Sequence, residues 1–354
     1  MNRRISGQSQ RTRPPDAASE ADTNDATVFD RDEIAGRSAT ASANAGDRPD
    51  GEGSSDDAEP FDARDPEAER RRVRTFIDSE VTAADADGVV VNMSGGLDST
   101  VTAALAVEAL GPERVYALIL PCNKIGAPHA RDAEALADAL GIEHNTVHLQ
   151  PLFAQFGAVA PDRFDLHDEP VRSGNAVSRL RMTMAYLAAN ATNRLVCGTT
   201  NRSELLLGYF TKHGDGGADL LPLGHLYKTE VRALAAALDV PSFVTEKPPS
   251  AGFIPGQRDA DDLGAPYDVI DRVLRLGVDR GMEPEAISER IDTRLTDGDD
   301  SLSTGEGEPP SGKGDPPTGD DPAIDAETVT RLLDRYRETA HKRVPPPIPG
   351  RPGR

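Results

Sequence analysis

The 354-residue chain carries 39 basic and 60 acidic side chains, a formal net charge of −21, with lysine only at positions 124, 212, 228, 247, 313 and 342. Such an acid-rich, lysine-poor balance suits a surface adapted to high salt and argues against a general nucleic-acid role, because duplex binding needs a basic face. No run is apolar enough for a signal peptide or membrane span, and Cys122 and Cys197 are too few and too far apart for a disulfide framework or a zinc site, so a soluble, cytoplasmic protein with two small buried thiols is expected.

Residues 1–66 are rich in Arg, Asp, Ala, Ser and Gly, with Phe29 and Phe61 as the only aromatics, and are expected to be a disordered arm. From 67 to about 86, Val73, Phe76, Ile77 and Val81 recur at helical spacing. Val89 to Val91 is a short β-branched run of the kind that fills a strand covered on both faces. It leads through Asn92, Met93, Ser94, Gly95 and Gly96 into a helical pattern from Leu97 to Leu110. A glycine turn at a helix N-terminus offers unpaired N–H groups and the positive end of the dipole to a phosphate.

Neither GxxxxGK[ST] nor GxGxxG is present. The Ser94-Gly95-Gly96-Leu97-Asp98-Ser99 stretch instead resembles the SGGxDS loop of the ATP pyrophosphatases, which cleave ATP between its α and β phosphates. The hydroxyls of Ser94 and Ser99 suit a leaving pyrophosphate and Asp98 suits Mg²⁺. The same residue types also fit a plain turn in which Asp98 and Ser99 cap the first helical turn.

Strands are expected at Val115 to Leu120, at about 143–149 and at Arg194 to Gly198, with helices at Ala130 to Leu140 and Asn175 to Asn190 and an irregular block between Leu149 and Gly174. This β-α-β alternation predicts an α/β fold, a doubly wound and mostly parallel sheet with helices on both faces. Thr199 to Glu204 forms a second strand-to-helix turn, expected beside the first at the point where the strand order reverses. A glycine-dense loop from Gly208 to Asp219 follows, then a helix from Lys228 to Leu238 and a Pro- and Gly-containing lid over about 247–260. Helices are expected at Tyr267 to Leu276, Glu283 to Ile291 and Ala326 to about Thr339, with low-complexity sequence over 292–325.

Together with Ser94 to Ser99, the motifs Asn175 with Arg179-Leu180-Arg181-Met182, Gly198-Thr199 with Glu204, Phe210-Thr211-Lys212 with Asp215 and Asp219, Lys228, Pro249-Ser250-Ala251, and His341-Lys342-Arg343 make the chain resemble the ammonia-dependent NAD synthetases over 67–291 and 326–346. The resemblance implies a catalytic domain over 67–291, completed by the C-terminal helix and tail of 326–354. It implies ATP-dependent amidation of deamido-NAD with ammonia through an adenylate, releasing AMP and pyrophosphate. Asn92 to Ser99, Thr199, Lys228 and Ser250 would bind ATP, with Asp98 and Glu204 holding Mg²⁺. Arg179, Lys212, Asp219, His341 and Lys342 would hold deamido-NAD, with Asp215 supporting that loop, and Asp98, Lys212, Lys228 and Asp215 form the expected catalytic set. A homodimer is implied, with no nucleic-acid or membrane partner.

The family's Asp-Glu pair after Gly256-Gln257 is replaced by Asp259-Ala260-Asp261-Asp262, which leaves the acidic contact of the lid open. Because the arm has no cysteine, nitrogen is expected from free ammonia or from a separate amidase. The alternatives are a base-modifying adenylating enzyme, disfavoured by the cysteine positions and the acidic charge, and a non-catalytic nucleotide-binding module, disfavoured by the two carboxylates.

Overall fold

The structure, a computed structural model, describes residues 64–122, 126–164, 166, 169–250, 252, 256–296 and 325–346. Four parallel strands, β1 (Gly88–Asn92), β2 (Val115–Ile119), β3 (Glu143–Thr146) and β4 (Arg194–Cys197), form a sheet in the order β3-β2-β1-β4. The chain builds outward from β1 to β3 and then returns to the other side of β1 for β4, so the order reverses between β1 and β4. Side chains alternate across the sheet. Val89, Val91, Ala117 and Ile119 join one core layer, and Val90, Leu118 and Val196 join the other.

The first six helices in chain order are α1 (Pro66–Ala83), α2 (Leu97–Leu110), α3 (Gly126–Ala139), α4 (Gln150–Val159), α5 (Pro170–Thr192) and α6 (Arg202–Leu207), the last following β4. After them come α7 (Lys228–Ala237), α8 (Ser242–Thr245), α9 (Asp259–Leu263), α10 (Tyr267–Leu274), α11 (Pro284–Thr296) and α12 (Ala326–Glu338). Residues of α1, α2, α3 and α7 share the core with Val89 and Val91, whereas α5 packs on Val90 and Val196. A further apolar cluster joins Leu207 of α6 to Ile270, Leu274, Ile287, Leu332 and Leu333 of α10, α11 and α12. Burial on both faces of β1 explains its uninterrupted valines.

The four expected strands are present, with β3 ending three residues earlier than expected. The block expected to be irregular contains α4, and α5 starts at Pro170 rather than Asn175. Pro151 and Gly157 obscure the α4 pattern, yet proline is well tolerated in a first helical turn. At its C-terminal end α11 runs to Thr296, five residues into the expected low-complexity stretch. Apart from Arg64 to Pro66, the expected arm lies outside the described residues, as do 297–324, residues 251 and 253–255 of the expected lid, and 347–354. Among the described residues no helix is long and apolar enough to cross a membrane. Cys122 and Cys197 are buried, free thiols.

Candidate active site

The turn after β1 is built around Gly95, whose φ of +73° belongs to the left-handed region and whose added Cβ would lie 2.5 Å from the His129 carbonyl oxygen of α3. Met93 is buried and hands its N–H to Leu118 O at 2.9 Å, fixing where the loop leaves the sheet. The Ser94 and Ser99 hydroxyls lie 3.2 Å apart, and Ser99 Oγ accepts from Ser94 N at 3.2 Å. Ser99 and Thr100 donate their hydroxyl protons back to Gly96 O, at 3.1 and 2.8 Å. No side chain caps α2, so its first-turn N–H groups stay open to an anion. Asp98 therefore does not act as a cap.

Instead, Asp98 reaches across the sheet edge. Its Oδ1 accepts from Asn201 Nδ2 at 3.1 Å, and its Oδ2 accepts from the Lys228 ammonium. The same ammonium donates to Glu204 Oε1 at 3.3 Å. The two carboxylates expected to act together, on α2 and α6, thus converge on one lysine of α7. Asn201 and Glu204 form a reciprocal capping box, with Glu204 N donating to Asn201 Oδ1 at 3.0 Å and Asn201 N to Glu204 Oε2 at 3.3 Å. Burial pushes the Glu204 carboxyl up, opposed by Lys228 and reinforced by Asp98 and Asp259. Burial also works against the Lys228 charge, yet Asp98 and Glu204 outweigh it and raise the pKa of the ammonium.

A buried carboxylate behind this cluster sets its geometry. Asp271 of α10, 3 % exposed, accepts from Ser203 Oγ and, at 2.9 Å, from Thr229 N. Ser203 Oγ in turn accepts from Lys228 N at 2.9 Å. Asp271 so fastens the start of α7 to α6, and Lys228 to Glu204. Tyr227, just before Lys228, lies between the guanidinium groups of Arg202 and Arg275, 5.3 and 4.9 Å from its ring centre, and donates to Asp279 at 2.8 Å. The Lys228 ammonium also sits 5.3 Å from the Tyr267 ring centre. Tyr267 and Tyr209 both donate to Asp259, at 3.0 and 3.1 Å, so an acid left open by the sequence is buried beside this cluster.

Lys247 donates to Gly95 O at 2.8 Å and to Asp132 of α3 at 2.6 Å, tying the start of the expected lid to the phosphate loop. Ser250 is exposed, and its hydroxyl accepts from Gly252 N at 3.1 Å. Thr199, partly buried, follows β4 in the turn that leads to Asn201.

The residues expected to hold the second substrate gather along α5, the 208–219 loop and the end of α12. Arg179, exposed, donates to Lys212 O at 3.2 Å, and the Lys212 ammonium donates to His341 O. Lys342 Nζ donates to Gly208 O at 2.7 Å and to Phe210 O at 2.9 Å, so this segment docks on its own chain. A Cβ at Gly208, whose φ is +59°, would meet Thr339 at 2.4 Å. Asp215 Oδ1 accepts from Ser178 Oγ at 2.6 Å and Thr211 N at 2.9 Å. Asp219 accepts from Tyr186 at 3.1 Å and from Val196 N at 2.7 Å, which engages its carboxylate with β4.

Sequence reasoning overlooked Asn201, Asp271, Tyr227 and Lys247. Only Asn201 carries a local signal, the Asn-x-x-Glu capping pattern.

Residues 69–297 match the family model described as NAD synthase. The chain is 39 % identical over 286 residues to an NH(3)-dependent NAD(+) synthetase of Methanosarcina mazei, covering 80 % of this chain and 98 % of that one. Among solved structures, NMN synthetase from Francisella tularensis matches with a TM-score of 0.62 and 32 % identity, covering 81 % of this chain and 99 % of that one. NH3-dependent NAD synthetase from Campylobacter jejuni matches with a TM-score of 0.59 and 26 % identity, covering 80 % and 99 %.

Proposed function

The chain belongs to the NAD synthase family, and we propose that it converts deamido-NAD to NAD with ATP and ammonia through an acyl adenylate. The observation that carries this reading is the convergence of Asp98 and Glu204 on Lys228 beside an uncapped helix N-terminus. In the reaction, a carboxylate oxygen of deamido-NAD attacks the α-phosphorus of ATP. The bond to the bridging oxygen breaks and pyrophosphate leaves. The nitrogen of ammonia then attacks the acyl carbon, and AMP departs as the amide forms.

The α2 N–H groups, Ser94 and Ser99 suit the leaving pyrophosphate, whose charge the lysines neutralise. Asp98 and Glu204 fit a divalent cation, because their hard oxygen donors already converge on a positive charge, that of Lys228. No group of three or more metal-binding side chains occurs among the described residues. Two carboxylates would leave the other positions of a Mg²⁺ ion to water and phosphate oxygens, as that ion prefers. Bound there, the ion would withdraw negative charge from the phosphates. Thr199 and Ser250 would complete the ATP site. Arg179, Lys212, Asp219, His341 and Lys342 would hold deamido-NAD, with Asp215 bracing their loop, and the catalytic unit would span 67–291 with the 326–346 segment.

The exposed apolar side chains Leu152, Phe156, Val159, Val171 and Leu187 on α4 and α5 fit coverage by a second copy, and so a homodimer. The two free, buried thiols and the absence of any long apolar helix among the described residues fit a cytoplasmic enzyme, and the acid excess fits a salt-rich one.

Purified protein with ATP, Mg²⁺, ammonium and deamido-NAD in high salt is expected to yield NAD and AMP in equal amounts. Because one similar structure is an NMN synthetase, nicotinic acid mononucleotide is tested alongside. No AMP with either acid would refute the adenylating reading, and preference for the mononucleotide would shift the substrate.

A further inference from the structure

Arg181, on the side of α5 that faces the sheet, donates through Nε to Leu120 O at 3.1 Å. Its other four N–H donors have no hydrogen-bond partner, and no carboxylate pairs with it, among the described residues. Three partly buried arginines of this chain meet carboxylates instead. Arg70 grips Glu108, Arg275 pairs with Glu230 at 2.8 Å, and Arg202 pairs with Asp279. Arg335 and Arg343, also partly buried, meet no carboxylate either but spend two or more donors each on carbonyl or hydroxyl oxygens, whereas Arg181 spends one. Burial lowers its pKa, and Cys122 and Asp215 offset this only in part. A partly buried guanidinium with four unmet donors is suited to receive an anion from outside the protein.

The position narrows the choice. Leu120 lies two residues past Leu118, which pairs with Asn92 and accepts from Met93 N, so Arg181 sits at the strand ends where the phosphate loop begins. Two residues along β1 from Val90, Asn92 points toward the same α5 face, and its Oδ1 is buried without a partner. An unmet acceptor and an unmet cation thus share one edge of the sheet.

We propose that Arg181 is a substrate-contacting residue that receives a reacting oxyanion at the ends of β1 and β2, either the carboxylate to be activated or the α-phosphate it attacks. This rests on the NAD synthase reading above. A planar guanidinium can bind either oxyanion through two parallel hydrogen bonds, which an ammonium cannot imitate.

The test measures equilibrium binding of deamido-NAD and of α,β-methylene-ATP with Mg²⁺, plus steady-state kinetics, for wild type, Arg181→Met and Arg181→Lys. A loss of about tenfold or more in affinity is expected for one ligand, with a hundredfold or greater loss in kcat/KM for Arg181→Met. Arg181→Lys should recover only part of it, and the melting temperature of each folded variant should stay near wild type. Weakened deamido-NAD binding assigns the carboxylate, and weakened binding of the ATP analogue assigns the α-phosphate. A loss confined to kcat assigns charge that develops on that phosphate during attack. Unchanged affinities and kcat in either folded variant, including Arg181→Lys alone if Arg181→Met does not fold, overturn the proposal. Wild type that forms no product would instead refute the family reading on which it rests.

Discussion

The two halves of the candidate site hold their charges in opposite ways. Around Lys228 the charges answer one another: two carboxylates share one buried ammonium, and Asn201, Ser203 and Asp271 fix the helices that bear them. Along α5 and the 208–219 loop, the cations rest on backbone carbonyls: Arg179 on Lys212 O, Lys212 on His341 O, and Lys342 on Gly208 O and Phe210 O. Carbonyl oxygens carry only partial charge, so these cations remain available to a charged ligand. Under the proposed function, the first half would be organised before substrate arrives, and the second would keep positive charge in reserve for it. Chemistry should therefore depend on the first half, and affinity on the second.

That division can be broken most severely at Asp98. Asp98→Asn keeps the shape and an acceptor for Asn201 but removes the charge, and pyrophosphate release should fall on the order of 10²–10³-fold with little change in melting temperature. Retained activity would make Asp98 a structural residue and erase the distinction between the halves. Asp271→Asn touches no substrate and should lower kcat about tenfold with KM nearly unchanged, because it loosens the alignment of Lys228 with Glu204. A drop in melting temperature with unaltered kcat would show that the clamp serves stability alone. The mildest change is expected from Lys342→Met, which should raise KM for deamido-NAD by about tenfold while leaving kcat within a few-fold. A kcat-dominated loss there would place chemistry in the second half as well.

Much of the first half was legible because its parts are local. A valine strand, a glycine turn and apolar residues at helical spacing announce the phosphate loop, and strand alternation announces the sheet that carries it. Convergence was harder to see, since Lys228 meets Asp98 across 130 residues. Asp271 left no local mark, because an acid among the apolar residues of α10 looks like any other helix charge until its partners in α6 and α7 are known. Asn201 could have been found from its Asn-x-x-Glu capping pattern, whereas the sequence singled out only Glu204, as a metal ligand. In the second half, motif resemblance named the residues without their neighbours. Asp219 shows the gap: the motif points it at substrate, while its carboxylate is engaged by Tyr186 and Val196. The irregular block hid α4 because Leu152, Phe156 and Val159 are exposed and only Phe153 packs toward the sheet.

Helix α6, which carries Glu204, spans six residues, and its final carbonyls are met from the far end of the chain: Leu206 O by Arg343 at 2.6 Å, Leu207 O by Arg335 at 3.2 Å and Gly208 O by Lys342 at 2.7 Å. During synthesis the sheet and the phosphate loop can fold well over a hundred residues before those three side chains leave the ribosome. A nascent chain that has made the nucleotide cradle would still lack the cap on its second carboxylate helix. Loop-closure entropy grows only logarithmically, about 0.6 kcal/mol for each doubling of length, so the long sequence separation between α6 and those side chains adds little to the cost of that late docking. A segment translated well after the sheet and the phosphate loop thus acts as a clasp, and the candidate site is assembled only once that segment has docked.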